Sequence, residues 1–180
     1  MKTWKSILVI AAVVAFANAA FAVGPSIGVY FDEAATISHG NPTGGLGVIH
    51  TAYVCATNCN MMVAGASFKL VADPQIMVMT TTYPEGLAVG EIATGVDLGI
   101  SHPVAAFASD VAVLATLTMT TYDNVMTDAE LTITNHPDYA SPIVADSAAE
   151  LHAAAGLTSF LTVTVANENK SWSDVKNLFQ

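Results

Sequence analysis

The residue types able to do chemistry are few and scattered. Cys55 and Cys59 are the only cysteines. Their spacing is one residue longer than C-x-x-C and no histidine doublet lies nearby, so metal or redox use is disfavoured against a local disulfide in an exported chain. Closing so short a ring stabilises by only about 2 kcal/mol in the chain-entropy account, so its expected role is to pin a strand end. His39, His50, His102, His136 and His152 form no H-x-H, H-E-x-x-H or i, i+4 pair, which argues against zinc. Asp123, Asn124, Asp128 and Glu130 gather oxygen ligands within one turn, a candidate calcium cluster without EF-hand spacing; the plain polar turn is the competing reading. No other cofactor is implied. Ser67 and Ser159 lack the G-x-S-x-G elbow of a serine nucleophile. Glu33, Glu85, Glu91 and Glu150 offer carboxylates for a glycoside hydrolase, but spacing alone selects no pair among them. Tyr83 and Tyr139 fall in turns and are the candidate glycan-stacking platforms.

These side chains need elements to hold them, and the clearest is Val111–Tyr122. There Val111, Val113, Ala115, Leu117 and Met119 alternate with Thr116, Thr118 and Thr120, the period of a half-buried strand. Such a strand requires a second layer to cover its apolar face. Around it, Ile27–Phe31, Val48–Thr57, Val63–Val71, Ile76–Thr82, Gly95–Ile100, Ala129–Thr134, Ile143–Ala145 and Phe160–Val165 read as strands. Asp73-Pro74, Tyr83-Pro84-Glu85-Gly86 and Ser101-His102-Pro103 read as breaks, and 147–155 is ambiguous between a helical turn and a strand. The pattern predicts an all-β, antiparallel β-sandwich, jelly-roll or immunoglobulin-like, of about seven to nine strands.

The ends read differently. Lys2 and Lys5, the apolar run Ile7–Phe16 and the small-residue ending Ala20-Phe21-Ala22 have the form of a secretory signal over residues 1–22. The sandwich domain is expected over 23–166. A linker and tail follow over 167–180, where Trp172, Val175 and Phe179 at i, i+3 and i+7, with Ser171 and Asp174 spaced as a capping box, predict a short amphipathic helix and a candidate docking tail. No stretch after residue 22 approaches the ~20 apolar residues of a membrane-spanning helix. Beyond the signal the formal charge is −12, from three lysines against fifteen acids with no arginine. That disfavours nucleic acid, anionic lipid and nucleotide phosphates, all of which select for clustered positive charge.

Two segments carry a family likeness. Val63-Ala-Gly-Ala-Ser-Phe-Lys-Leu-Val-Ala-Asp-Pro74 resembles the early strand of cohesin-like modules, ending as theirs does in Asp-Pro, and Leu114-Ala-Thr-Leu-Thr-Met119 resembles their later core strand. The resemblance implies a nine-stranded jelly-roll sandwich and, from the family's best-known members, binding of dockerin modules on bacterial surfaces; it assigns no site residue. The expectation is therefore a non-enzymatic secreted or surface module that binds an extracellular protein. The alternative is a carbohydrate-binding module, calcium-supported, with polysaccharide as partner, and a hydrolase ranks third.

Overall fold

The computed structural model describes residues 24–43, 46–106, 111–123 and 125–164. The segment read as a secretory signal, the tail with Trp172, Val175 and Phe179, and Asn124 lie outside them. Among the described residues there is no helix, and so none long and apolar enough to cross a membrane.

The strands in chain order are β1 (Ser26–Tyr30), β2 (His39–Gly40), β3 (His50–Thr57), β4 (Met61–Ala72), β5 (Ile76–Thr82), β6 (Gly86–Glu91), β7 (Gly95–Ala106), β8 (Ala112–Thr121), β9 (Met126–Thr134), β10 (Ile143–Asp146), β11 (Leu151–Ala153), β12 (Ala155–Gly156) and β13 (Thr158–Val163). One sheet runs β12-β1-β3-β8-β5; the other runs β11-β10-β4-β9-β13-β2, with β7 pairing β4 and β6 pairing β7. The expected sandwich is present. Its sheets are mixed rather than purely antiparallel, because the short strands β12 and β2 pair in parallel with β1 and β13. Such two-residue strands also raise the number above the seven to nine expected.

The core lies between the sheets. Ile27, Val29, Ala52, Val54, Leu117 and Met119 face it from the first sheet, and Phe68, Leu70, Val96, Leu131, Ile133 and Leu161 from the second. Phe68 is the largest side chain buried there. In β8 the expected phase holds at Ala115, Leu117 and Met119 and fails before them. The register with β3 passes from Val54↔Ala115 to Cys55↔Val113, leaving Leu114 as an extra residue. That β-bulge turns Leu114 and Ala112 inward and Val113 outward, the reverse of simple alternation. A larger irregularity sits in β7. It continues to Ala106 although Ser101-His102-Pro103 signals a stop, because between the pairs Val63↔Val104 and Gly65↔Gly99 one residue of β4, Ala64, faces four of β7, Ile100 to Pro103. The excess absorbs the proline without breaking the strand.

The expected disulfide is absent. Cys55 and Cys59 are both buried free thiols. Cys55 pairs with Gly28 and Val113 on the side of β3 away from the core, whereas Cys59 belongs to the core cluster and its Sγ–H donates to the Thr57 carbonyl at 3.5 Å. Between them the chain turns through Asn58 with φ of 54°, so the two side chains leave on opposite faces of the sheet. Burial, with the carboxylates of Asp32 and Glu33 nearby, pushes the Cys55 thiol up to about 12, and burial alone pushes Cys59 up to about 11. The folded protein is therefore expected to resist a thiol reagent near pH 8 and to release both thiols on denaturation without reductant. A denatured chain with no titratable thiol would restore the disulfide.

Candidate interaction faces

Register decides what each outer face presents. On the first sheet, Thr51 lies beside Thr118 and Thr118 beside Thr80; the next outward row is Tyr30, Tyr53, Thr116 and Thr82. These rows carry no charge in a strongly acidic chain. They form a band of hydroxyl-bearing residues, of which Thr80 also lines a depression beside β5.

The second sheet is different. Across β6, β7, β4, β10 and β11, one outward row reads Leu87, Gly99, Gly65, Ala145 and Leu151, and the next reads Val89, Asp97, Ser67, Ile143 and Ala153. Small residues occupy the middle of the first row and large apolar ones its ends. The result is a trough, spanning four inter-strand spacings or about 19 Å from β6 to β11. Leu87 is 69% exposed, Val89 55% and Leu151 60%. A depression of about 200 Å³ lies within the trough, lined by Ser67, Asp97, Tyr139, Ile143, Ala145 and Leu151 among others. Ser67 is 5% exposed, and among the described residues its Oγ has no hydrogen-bond partner.

The loop after β9 roofs one end. The Asn135 side-chain amide donates to the Tyr139 carbonyl at 2.8 Å, and the Tyr139 N–H donates to the His136 carbonyl at 3.0 Å. His136 lies directly over Gly95, whose φ is 133° and where a Cβ would come within 2.5 Å of the His136 ring. That contact brings His136 Nε2 to 3.9 Å from an Asp97 carboxylate oxygen, and the His136 ring packs 6.0 Å from Tyr139.

The residues singled out from sequence distribute as follows. Asp123 accepts from the Gln75 side-chain amide at 2.9 Å. Asp128, with φ of 51°, lies instead in a network on the β2–β13–β9 edge: Thr162 Oγ1 donates to its carboxylate at 3.1 Å and His39 Nε2 approaches to 3.3 Å. Glu130 is exposed, pairs with Phe160, and uses its carbonyl to accept the Asp73 N–H. Asp123 and Asp128 thus bond to different elements. Tyr83 packs partly buried against the core, where burial and then Glu91 raise its phenol; Tyr139 reaches the trough. Glu85 faces His102 at 3.9 Å, both well exposed.

One cluster went unanticipated. The hairpin β10–β11 brings Asp146, Glu150 and His152 together, with donor atoms within 4.8 Å of one another. Asp146 Oδ1 accepts the N–H groups of Ala148 at 2.8 Å and Glu150 at 2.9 Å, and its Oδ2 lies 3.1 Å from His152 Nε2. The hydrogen bond from His152, then that from Glu150, holds the Asp146 carboxyl below its ordinary range. These bonds account for the cluster without a cation, which would have to displace the His152 contact. Sequence singled out Glu150 as a carboxylate and His152 as a lone histidine, but with 147–155 ambiguous between a helical turn and a strand it did not bring them to Asp146.

No protein-family model matches the sequence, and no curated relative does. Solved structures do. The seventh ScaB type I cohesin from Pseudobacteroides cellulosolvens aligns at a TM-score of 0.53 and 10% identity, over 82% of this chain and 97% of that one. A non-cellulosomal cohesin from the archaeon Archaeoglobus fulgidus aligns at 0.50 and 13%, over 81% and 94%. The third ScaB cohesin of R. flavefaciens, solved in complex with a group 1 dockerin, aligns at 0.50 and 12%, over 79% and 98%. The described chain has the cohesin-like β-sandwich fold.

Proposed function

We propose that this chain is a non-enzymatic extracellular interaction module whose outer trough on β6, β7, β4, β10 and β11 receives another protein. The observation that carries it is the trough: a broad, shallow surface with large apolar residues exposed at both rims and a floor of Gly99, Gly65 and Ser67. Isolated exposed apolar residues are ordinary; an ordered pair of apolar rims about 19 Å apart fits a docked helix or strand pair better than a small molecule. Capture of a dockerin by one structural neighbour supports a protein partner. The chain's acidity favours a partner face that is neutral or basic.

The test is affinity capture from the secreted fraction with the intact chain, with Leu87→Gln and Leu151→Gln at the rims, and with Thr118→Gln on the opposite face. One protein retained by the intact chain and by Thr118→Gln should bind each rim variant roughly tenfold more weakly. Equal retention by rim variants and intact chain would remove the trough from the binding surface. Release of reducing sugar from an offered polysaccharide would replace binding with hydrolysis.

A further inference from the structure

A second concavity, distinct from the trough, opens beside β5, the edge strand of the first sheet. It measures about 540 Å³ and is walled mainly by Val71, Pro74, Met77, Val78, Ile92 and Tyr122, with Lys69 the charged residue in its lining. Its rim is open: Val71 is 46% exposed, Met77 37% and Tyr122 56%. The Tyr122 hydroxyl donates to Met77 Sδ at 3.0 Å, and its N–H donates to the Gln75 carbonyl at 3.0 Å. Those bonds fix the aromatic ring at the mouth. Asp73 and Asp123 adjoin Pro74 and Tyr122 in sequence, and both carboxylates accept from Gln75, Asp73 Oδ1 from its N–H at 2.8 Å and Asp123 Oδ2 from its side-chain amide at 2.9 Å.

We infer that the chain's own C-terminal segment, residues 167–180, occupies this groove, with Trp172, Val175 and Phe179 inserted into it. Reach supports the assignment. Val163 pairs with Met126, one strand spacing of about 5 Å, and Met126 is four residues from Tyr122, at most about 14 Å along the chain. Thr164 therefore leaves the sandwich within about 23 Å of the groove mouth, and the eight residues to Trp172 extend up to about 29 Å. The apolar pattern agrees. The three apolar residues recur at helical spacing, and a segment of about ten residues is too short to hold that form without a surface to pack on. Lys170 and Lys176, two of the five lysines in the whole chain, flank them in sequence and offer trypsin its sites within the segment. The groove lies between β5 of the first sheet and the far end of β4, whose Gly65 and Ser67 floor the trough, but the two concavities share no lining residue, so this occupancy is tested apart from the partner surface.

The experiment uses the full chain with Trp4→Phe, leaving Trp172 as its single tryptophan. It is compared with the same chain carrying Val71→Asn and Met77→Asn, two exposed positions whose thermal unfolding should be retained. Trp172 emission is expected to be blue-shifted from its position in denaturant, and the double variant is expected to abolish the shift. Trypsin should cut after Lys170 and Lys176 roughly tenfold more slowly in the parent than in the double variant, at every protein concentration. Equal cleavage rates, or a blue shift surviving the double variant, would overturn the assignment. Protection that disappears on dilution would also overturn it, by showing that the tail is held by a second copy.

Discussion

Gly65→Ala is expected to destabilise the sandwich by about 3 kcal/mol, while Gly99→Ala, at its direct cross-strand partner, is expected to stabilise it by roughly 0.5–1 kcal/mol. The two glycines look alike in sequence and lie in the same outward row. Their surroundings differ. A Cβ on Gly65 would come within 2.5 Å of the Leu98 carbonyl oxygen, a backbone atom that can move only with β7. A Cβ on Gly99 would meet nothing within 4 Å, and its backbone is not in the left-handed region. The register break lies beside Gly65, where one residue of β4, Ala64, faces four of β7, and there the Leu98 carbonyl oxygen approaches Gly65 too closely for a side chain. Three kcal/mol is a large share of the 5–15 kcal/mol that holds an ordinary domain. Denaturant titration of both variants decides it, and a Gly65→Ala protein as stable as Gly99→Ala would mean that β4 and β7 are not in this register. Gly99→Ala also narrows the trough, so a stable variant with weakened capture would separate binding from folding.

The same register explains what the sequence did and did not disclose. Strands with one buried face were legible because their side chains alternate: β3, β4, β8, β9 and β13 were all expected near where they lie. β6 was not, since all its residues are exposed and an edge strand with two wet faces imposes no alternation. The bulge at Leu114 was invisible for a related reason: Val113 and Leu114 are equally apolar, and only the partner strand determines which turns inward. β2 and β12 are too short to leave a pattern. The site was less legible than the fold. Leu87, Gly65 and Leu151 are far apart in sequence and become one row only through four pairings, and Asp146 meets His152 only because β10 and β11 form a hairpin. Local spacing, by contrast, grouped Asp123 with Asp128, whose carboxylates the turn sends to different elements. It also paired Cys55 with Cys59, which the chain directs to opposite sides of a sheet.

His50→Leu is expected to stabilise the fold by about 1–2 kcal/mol near pH 7.5 and by more near pH 5.5. His50 begins β3 opposite Met119, is 7% exposed, and among the described residues its Nε2 has no hydrogen-bond partner although it is buried. An unsatisfied buried polar atom costs about 1–3 kcal/mol, and leucine removes it while keeping apolar volume at the end of the core. The pH dependence follows from the ionisation. Burial lowers the His50 pKa below its ordinary 6.5, so the folded chain keeps the ring neutral where the unfolded chain has begun to take up a proton. The unfolded state then binds more protons, and stability falls as pH drops from about 6.5 toward the lower folded value; below that value both states are protonated and the slope ends. His50→Leu removes that loss, which is why its advantage grows on acidification. Asp32, held low chiefly by the Thr36 hydroxyl, and Asp146, held low chiefly by His152, act elsewhere on the scale. A depressed carboxylate contributes stability above its ordinary 3.8 that is lost as pH falls through its folded value, so both belong to the acid limb. Urea unfolding of parent and variant at the two pH values isolates the His50 contribution as a difference of differences. An advantage for leucine that is the same at both would mean that the His50 ring reaches solvent and titrates alike in the folded and unfolded chains.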